Sequence, residues 1–169
     1  MLKEILKPSS CAECRVCCGF DEGDKWEIPL IFSELRERIE EKLGVTLQRR
    51  GGEYVFDMAF DGGKLVYCPA AGENGCSLGE LKPFDCRIWP FRVNSLGDMR
   101  VITISPVCGT VSALPLKTLS EFVNKDGFSQ MLFRTADEHP DIVKPYIDGY
   151  PIIAVERSIK DSGKQSTKL

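Results

Sequence analysis

Apolar residues recur at two periods along the chain, and the periods divide it into elements. Phe32, Leu35, Ile39 and Leu43 are spaced by three and four, which puts them on one side of a helix. Ser33 suits its start and Gly44 its stop. Glu34, Glu37, Arg38, Glu40, Glu41 and Lys42 take the opposite, solvated side. Tyr54, Phe56, Met58 and Phe60 alternate instead. With Asp61-Gly62-Gly63 as the turn and Lys64 to Tyr67 as the return, they predict a hairpin over residues 53–67. A second hairpin is predicted from Ile88–Asn94 and Met99–Ile104, joined through Ser95, Leu96, Gly97 and Asp98. Pro115 opens a helix with Leu116, Leu119, Phe122 and Val123 on its apolar side. Asp126-Gly127 interrupts it, and Phe128, Met131 and Leu132 carry the apolar face onward. Pro140 starts one more turn or two, and Pro151 to Val155 reads as a last strand. Pro8, Ser9 and Ser10 are expected to break any helix before residue 11, and residues 21–28 read as a charged loop. The polar stretch 158–169 is expected to be a flexible tail, which leaves residues 1–157 as a single domain.

Composition fits that picture. A chain of 169 residues with 43% apolar content can bury a core of its own. The net charge of −3 argues against a protein that grips nucleic acid through phosphates. No apolar run approaches the ~20 residues of a membrane span. A single His makes a His-rich metal site or a Ser-His-Asp triad a poor fit. The first ten residues lack the apolar core of a secretory signal, so a cytoplasmic location is expected.

The informative residues are the eight cysteines. Cys11, Cys14, Cys17 and Cys18 fall within eight positions; Cys68, Cys76, Cys86 and Cys108 follow after a gap of forty-nine residues. A disulfide framework suits neither the expected compartment nor a chain of this size. Buried apolar cysteines account for one or two positions, but not for four so close together beside Glu13 and Arg15. Two unit charges about 4 Å apart repel by about 4 kcal/mol at an effective dielectric of 20, so the six pairs among four gathered thiolates reach on the order of 24 kcal/mol. Whole-domain stability is only about 5–15 kcal/mol. Thiolates at that density need a cation among them, or must stay protonated.

The spacing of Cys11, Cys14 and Cys17 matches the run that supplies three corners of a bacterial iron–sulfur cubane, and Cys68-Pro69 has the form of the isolated fourth ligand. Zinc is the rival, since it also accepts four thiolates. Its usual half-site is a pair of cysteines two residues apart. The later cysteines are separated by seven, nine and twenty-one residues, which tilts the reading towards iron–sulfur or a compact multi-metal site. Neighbouring side chains diverge, so adjacent Cys17 and Cys18 suit two centres better than one ion. One metal with four ligands and several spare thiols is the alternative. Arg15, Lys82, Arg87 and Arg92 are candidate donors to cluster sulfurs, with Arg87 foremost because it adjoins Cys86. Trp26 and Trp89 are expected in the core, with shielding of a metal centre from water as the alternative, and His139 is expected to start a helical turn rather than bind metal.

These residues carry a resemblance. The segments CAECRVCC, YCP and CSLGELKPFDCRIWPF resemble the YkgJ-type CxxCxxCC cysteine-cluster family, a zinc- or iron-chelating domain. The likeness covers about residues 11–91. It maps the family motif onto Cys11, Cys14, Cys17, Cys18, Cys68, Cys76 and Cys86, with Pro83, Arg87, Pro90 and Phe91 beside them. Lys82 stands where the family usually has Arg, and Gly79 where it often has Tyr. Cys108-Gly109 looks like a downstream Cys-Pro-Gly of some members, without the Pro. The resemblance implies metal binding. The flagellin lysine N-methylases that contain such a domain are longer enzymes, and this sequence shows no Gly-rich methyl-donor loop.

The expected fold class is therefore α+β: a small single domain with a cysteine-rich metal-binding lobe, two β-hairpins and packed helices. The expected function is holding an iron–sulfur cluster, of the 4Fe-4S type, or Zn2+, in one or two metal centres, through Cys11, Cys14, Cys17, Cys18, Cys68, Cys76, Cys86 and Cys108. Redox work or service to an enzyme partner would follow from the first, and a structural zinc module that presents a surface to another protein from the second. A metal-dependent enzyme of unspecified substrate is the third possibility.

Overall fold

Helix, turn and strand alternate in short pieces along residues 1–156, which are the residues described in the computed structural model of the chain. The expected tail and the domain end at 157 lie outside them. In chain order the elements are α1 (Pro8–Cys14), a 3-10 turn at Val16–Cys18, β1 (Gly19–Phe20), a 3-10 turn at Lys25–Glu27, another at Ser33–Leu35, α2 (Arg36–Leu43), β2 (Leu47–Arg50), β3 (Glu53–Phe56), β4 (Val66–Tyr67), β5 (Ala71–Gly72) and β6 (Gly75–Cys76). A 3-10 turn at Gly79–Leu81, α3 (Phe84–Ile88), β7 (Phe91–Leu96), β8 (Met99–Ile104), α4 (Gly109–Ser112), α5 (Leu116–Asn124), α6 (Phe128–Glu138), a 3-10 turn at Pro140–Ile142, β9 (Lys144–Pro145) and β10 (Ile152–Val155) follow. The α+β class expected from the sequence is what these elements form.

The largest sheet has the order β10-β8-β7-β9. Its centre is the predicted second hairpin, in register from Phe91 opposite Ile104 to Leu96 opposite Met99. Ile88 belongs to α3 rather than to the strand. The side chains of Phe91, Val93, Val101, Ile102 and Ile104 are buried on this sheet, and α5 and α6 pack beside it. Phe91, Phe122 and Phe128 meet there with ring centroids 5.1 to 5.7 Å apart. The helix break at Asp126-Gly127 is real: both residues have positive φ, at 52° and 73°. One polar group is locked inside the sheet. Asn94 is fully buried, accepts a hydrogen bond from Thr103 Oγ1 at 2.6 Å, and donates to the carbonyls of Pro145 at 2.9 Å and Lys144 at 3.3 Å. It thereby holds β9 to the edge of β7.

Two further expectations fail for local reasons. Pro8, Ser9 and Ser10 do not break a helix; they begin α1. Proline at the first helical position gives up a backbone N–H that has no partner there in any case. The hairpin over 53–67 does not form. β3 pairs instead with β2, from Leu47 opposite Phe56 to Arg50 opposite Glu53. Gly51-Gly52 makes that turn, with Gly51 at φ +63° and the Gly52 N–H donating to Asp141 Oδ2 at 2.7 Å. The segment predicted as the return strand is free to pair elsewhere, as β4.

The helical stripe at Phe32 to Leu43 is present, opened by the 3-10 turn and closed by Gly44 at φ +65°. Ser33 does not cap it. Its N–H and hydroxyl both donate to Glu53 Oε2, at 2.9 and 3.3 Å. Glu53 Oε1 in turn lies 2.6 Å from His139 Nδ1, and the His139 ring stacks on Phe32 with centroids 3.6 Å apart. His139 therefore ties the second half of the chain to the first through a carboxylate and an aromatic ring.

Candidate metal centre

Short elements deliver the cysteines to one side of the molecule. α1 carries Cys11 and Cys14. Arg15 ends it in the left-handed conformation, φ 49°, with its N–H bonded to the Cys11 carbonyl at 3.0 Å. The chain then turns tightly through Cys17 and Cys18 and leaves along Gly19 into β1. β1 pairs antiparallel with β4, Gly19 opposite Tyr67 and Phe20 opposite Val66. The ladder continues one step further, where the Cys68 N–H donates to the Cys18 carbonyl at 2.7 Å. The two cysteine groups are thus stitched together by main chain.

The β5–β6 hairpin sets Cys76 opposite Ala71. Gly75 at its turn has φ +99°, and a Cβ there would lie 3.3 Å from the Ala12 Cβ, so α1 rests directly on this turn. Cys86 comes from α3, and Cys108 immediately precedes α4.

Cys14, Cys17, Cys18, Cys68, Cys76 and Cys86 line a single cavity of about 370 Å³. Cys11 and Cys108 border a smaller neighbouring pocket of about 30 Å³, shared with Cys14 and Cys17. All eight thiols are free of disulfides. The rest of the large cavity is mostly apolar, with Phe56, Leu65, Tyr67, Val107, Trp26 and Trp89 on its wall and Lys82, Arg92, Asp24, Glu27 and Asp85 as its charged members.

The thiols act on one another. Burial pushes Cys68 up to about 11, and the neighbouring Cys18 and Cys76 add to the rise. Cys86 is raised well above the ordinary thiol value, chiefly by burial and then by Asp85 beside it. Cys11 is raised by burial, against the pull of Lys82. Cys17 and Cys18 form a hydrogen-bonded pair whose members move apart. The bond stabilises Cys18 as the thiolate and Cys17 as the thiol; Lys82 and Arg15 further lower Cys18. A site with this many mutually repelling sulfurs favours whatever supplies positive charge among them.

Among the described residues, no three His, Cys, Asp or Glu side chains stand close enough together to hold an ion as they are. The thiols ring a space instead of meeting at a point. Their chemistry nevertheless fits a metal: the donor set is all sulfur, soft, uncommitted to disulfides and open to a cavity.

Other sequence expectations fare unevenly. Arg87 is exposed and is not among the charges that act on Cys86; Lys82 takes that place. Trp26 and Trp89 belong to the cavity wall rather than the core, and Trp26 is 39% exposed. Trp89 is partly buried, and the Arg92 guanidinium lies over both rings, so a charged side chain rather than the apolar core takes their faces. Asp85 is a site residue that the sequence reading passed over. Its position next to Cys86 was the available signal. Burial raises its carboxyl, while the Leu30 N–H donates to its Oδ2 at 3.1 Å. No protein-family model, no curated protein and no solved structure matches the chain.

Proposed function

We propose that this protein binds metal through cysteine thiolates and that the bound species is an iron–sulfur cluster. Four of Cys14, Cys17, Cys18, Cys68, Cys76 and Cys86 would supply its ligands, and Cys11 and Cys108, with the thiols left over, would be available to a second centre. The observation that carries the reading is the shared cavity: six free thiols from two distant stretches of chain face one space of about 370 Å³. A lone tetrahedral zinc ion holds its sulfurs about 2.3 Å from the metal. A cavity this size is wide for one ion and suits a multinuclear centre better. The resemblance of CAECRVCC and its companion segments to the YkgJ-type family points in the same direction. Free thiols in this number also agree with a reducing compartment such as the cytoplasm.

Bound here, such a cluster supplies one-electron chemistry. Lys82 and Arg15 would offset its charge, and the apolar wall would limit water around it. Service as an electron carrier to a protein partner follows from those properties. Anaerobically purified protein should be brown and carry equimolar iron and acid-labile sulfide. A colourless protein with stoichiometric zinc would overturn the cluster, and a protein with neither metal would overturn metal binding.

A second reading is a zinc-bearing module that presents a surface to another protein. Four apolar side chains on the cavity wall, Val16, Leu65, Tyr67 and Val107, are about half exposed, as a contact surface would have them. Zinc content together with unfolding by chelator would favour it.

A further inference from the structure

The two spaces beside the cysteines differ in size and in which thiols reach them. Cys18, Cys68, Cys76 and Cys86 line only the large cavity, Cys11 and Cys108 only the small pocket, and Cys14 and Cys17 both. Eight thiols shared between two centres of four ligands then divide in one way: Cys14 and Cys17 join Cys11 and Cys108. The adjacent Cys17 and Cys18 fall on opposite sides of that division. The Cys18 carbonyl accepts from the Cys68 N–H, which keeps Cys18 with the later cysteines. Cys11 is the hub of the other set. Beyond the effect of burial, Cys108, Cys18 and Cys14 all raise it as nearby charges, and of these Cys18 alone does not reach the pocket. Cys17, after its bond to Cys18 and its burial, is raised by Cys11 in turn.

The small pocket measures about 30 Å³. One water needs roughly 10–15 Å³, so there is room for a single ion and none for a multinuclear cluster. Among the described residues on its wall, none is His, Asp or Glu, and Arg15 is the one charged side chain. An ion held there takes sulfur, and Arg15 stands beside the negative charge that four thiolates leave on a divalent cation. Cys11 and Cys14 have the spacing of a zinc half-site, and Cys17 and Cys108 complete the four sulfurs that structural zinc takes. The thiols ring the pocket without meeting, so binding draws them inward, and the cation relieves the repulsion among them as it does. We propose that Cys11, Cys14, Cys17 and Cys108 hold one zinc ion, separate from a cluster on Cys18, Cys68, Cys76 and Cys86. The inference rests on the reading of these thiols as metal ligands and adds a second metal of a different kind. The zinc would tie α1 and the turn after it to the segment before α4, and leave the large cavity to the cluster.

Zinc, iron and acid-labile sulfide are measured together on protein purified anaerobically from cells supplied with zinc and iron. About one zinc per chain is expected beside the cluster. Cys11→Ser and Cys108→Ser should each weaken zinc binding at least about tenfold against a competing chelator and leave iron and sulfide unchanged. Cys68→Ser and Cys76→Ser should lose iron and sulfide but keep the zinc. X-ray absorption at the zinc edge should show four sulfurs about 2.3 Å from the metal and no nitrogen or oxygen. Iron and sulfide judge the cluster and zinc judges this site, so either can fail alone. A protein without cluster iron whose single zinc survives Cys68→Ser still supports the site. Absence of zinc, its loss in folded Cys68→Ser, its undiminished retention in folded Cys11→Ser and Cys108→Ser, or a nitrogen or oxygen ligand overturns the proposal. Should the Cys11 and Cys108 variants not fold, the zinc content and zinc edge of Cys68→Ser and Cys76→Ser decide.

Discussion

Gly75 lies where the two cysteine groups lean on each other, and replacing it separates two costs. At φ +99° an alanine is strained whatever its neighbours, at about 1–3 kcal/mol. Its Cβ would also stand 3.3 Å from the Ala12 Cβ, and pushing α1 off the turn costs about 1 kcal/mol more. Gly62 is the control. Its φ is +81°, and nothing lies within 4 Å of a Cβ there, so Gly62→Ala bears the strain alone. Urea unfolding under anaerobic conditions should show a loss of about 2–4 kcal/mol for Gly75→Ala and about 1–3 kcal/mol for Gly62→Ala. The sharper readout is metal retention against a competing chelator. Gly75→Ala displaces the helix that carries Cys11 and Cys14, so it should release metal sooner; Gly62→Ala should match the unaltered protein. Equal retention in the two variants would refute the idea that contact between α1 and β6 sets the site.

Further tests follow from single side chains. Cys18→Ser and Cys86→Ser should each lose most of the bound metal by elemental analysis, whereas Cys108→Ser, which lies off the main cavity, should keep most of it. Thr103→Val leaves the buried Asn94 Oδ1 without a donor, and denaturant titration should show a loss of about 1–3 kcal/mol. Glu40 is held below the usual carboxyl value of 4.5, first by the Leu47 N–H and then by Arg36. Its contribution is therefore present above the unfolded-state value and lost as pH falls through the lower folded one. Glu40→Gln should flatten that part of the stability profile, measured as urea midpoints across the acid range. Removal of metal by chelator should lower the unfolding midpoint if the thiols hold it, since binding to the folded state alone stabilises that state.

Much of the fold was legible where periodicity was long. The β7–β8 hairpin, α5 and α6 came through with their breaks, because each has enough apolar repeats to outvote local ambiguity. The 53–67 hairpin did not, and the reason is physical. Gly51-Gly52 and Asp61-Gly62-Gly63 are competing turn signals on either side of one strand, and only tertiary pairing decides between them. Alternation at Tyr54, Phe56, Met58 and Phe60 is silent on which neighbour the strand takes. The cysteines themselves could be read from composition and spacing. Arg87 adjoins Cys86 in sequence, yet Lys82 is the cation that acts on it in the fold, because adjacency along the chain is not proximity in space. Arg92 between two indoles, and the separation of Cys108 from the main cavity, are set by contacts between distant parts of the chain, which no local pattern encodes.

The main-chain ladder from Gly19–Phe20 to Val66–Tyr67, extended by the Cys68–Cys18 bond, has a bearing on the order of events in the cell. Because peptide groups rather than sulfurs join the two stretches, the scaffold would not wait on the metal proposed for it. Were metal bound as proposed, the polypeptide could be finished first and charged afterwards, and could surrender that metal without falling apart. Such a vessel would suit repeated filling and emptying more than permanent sealing.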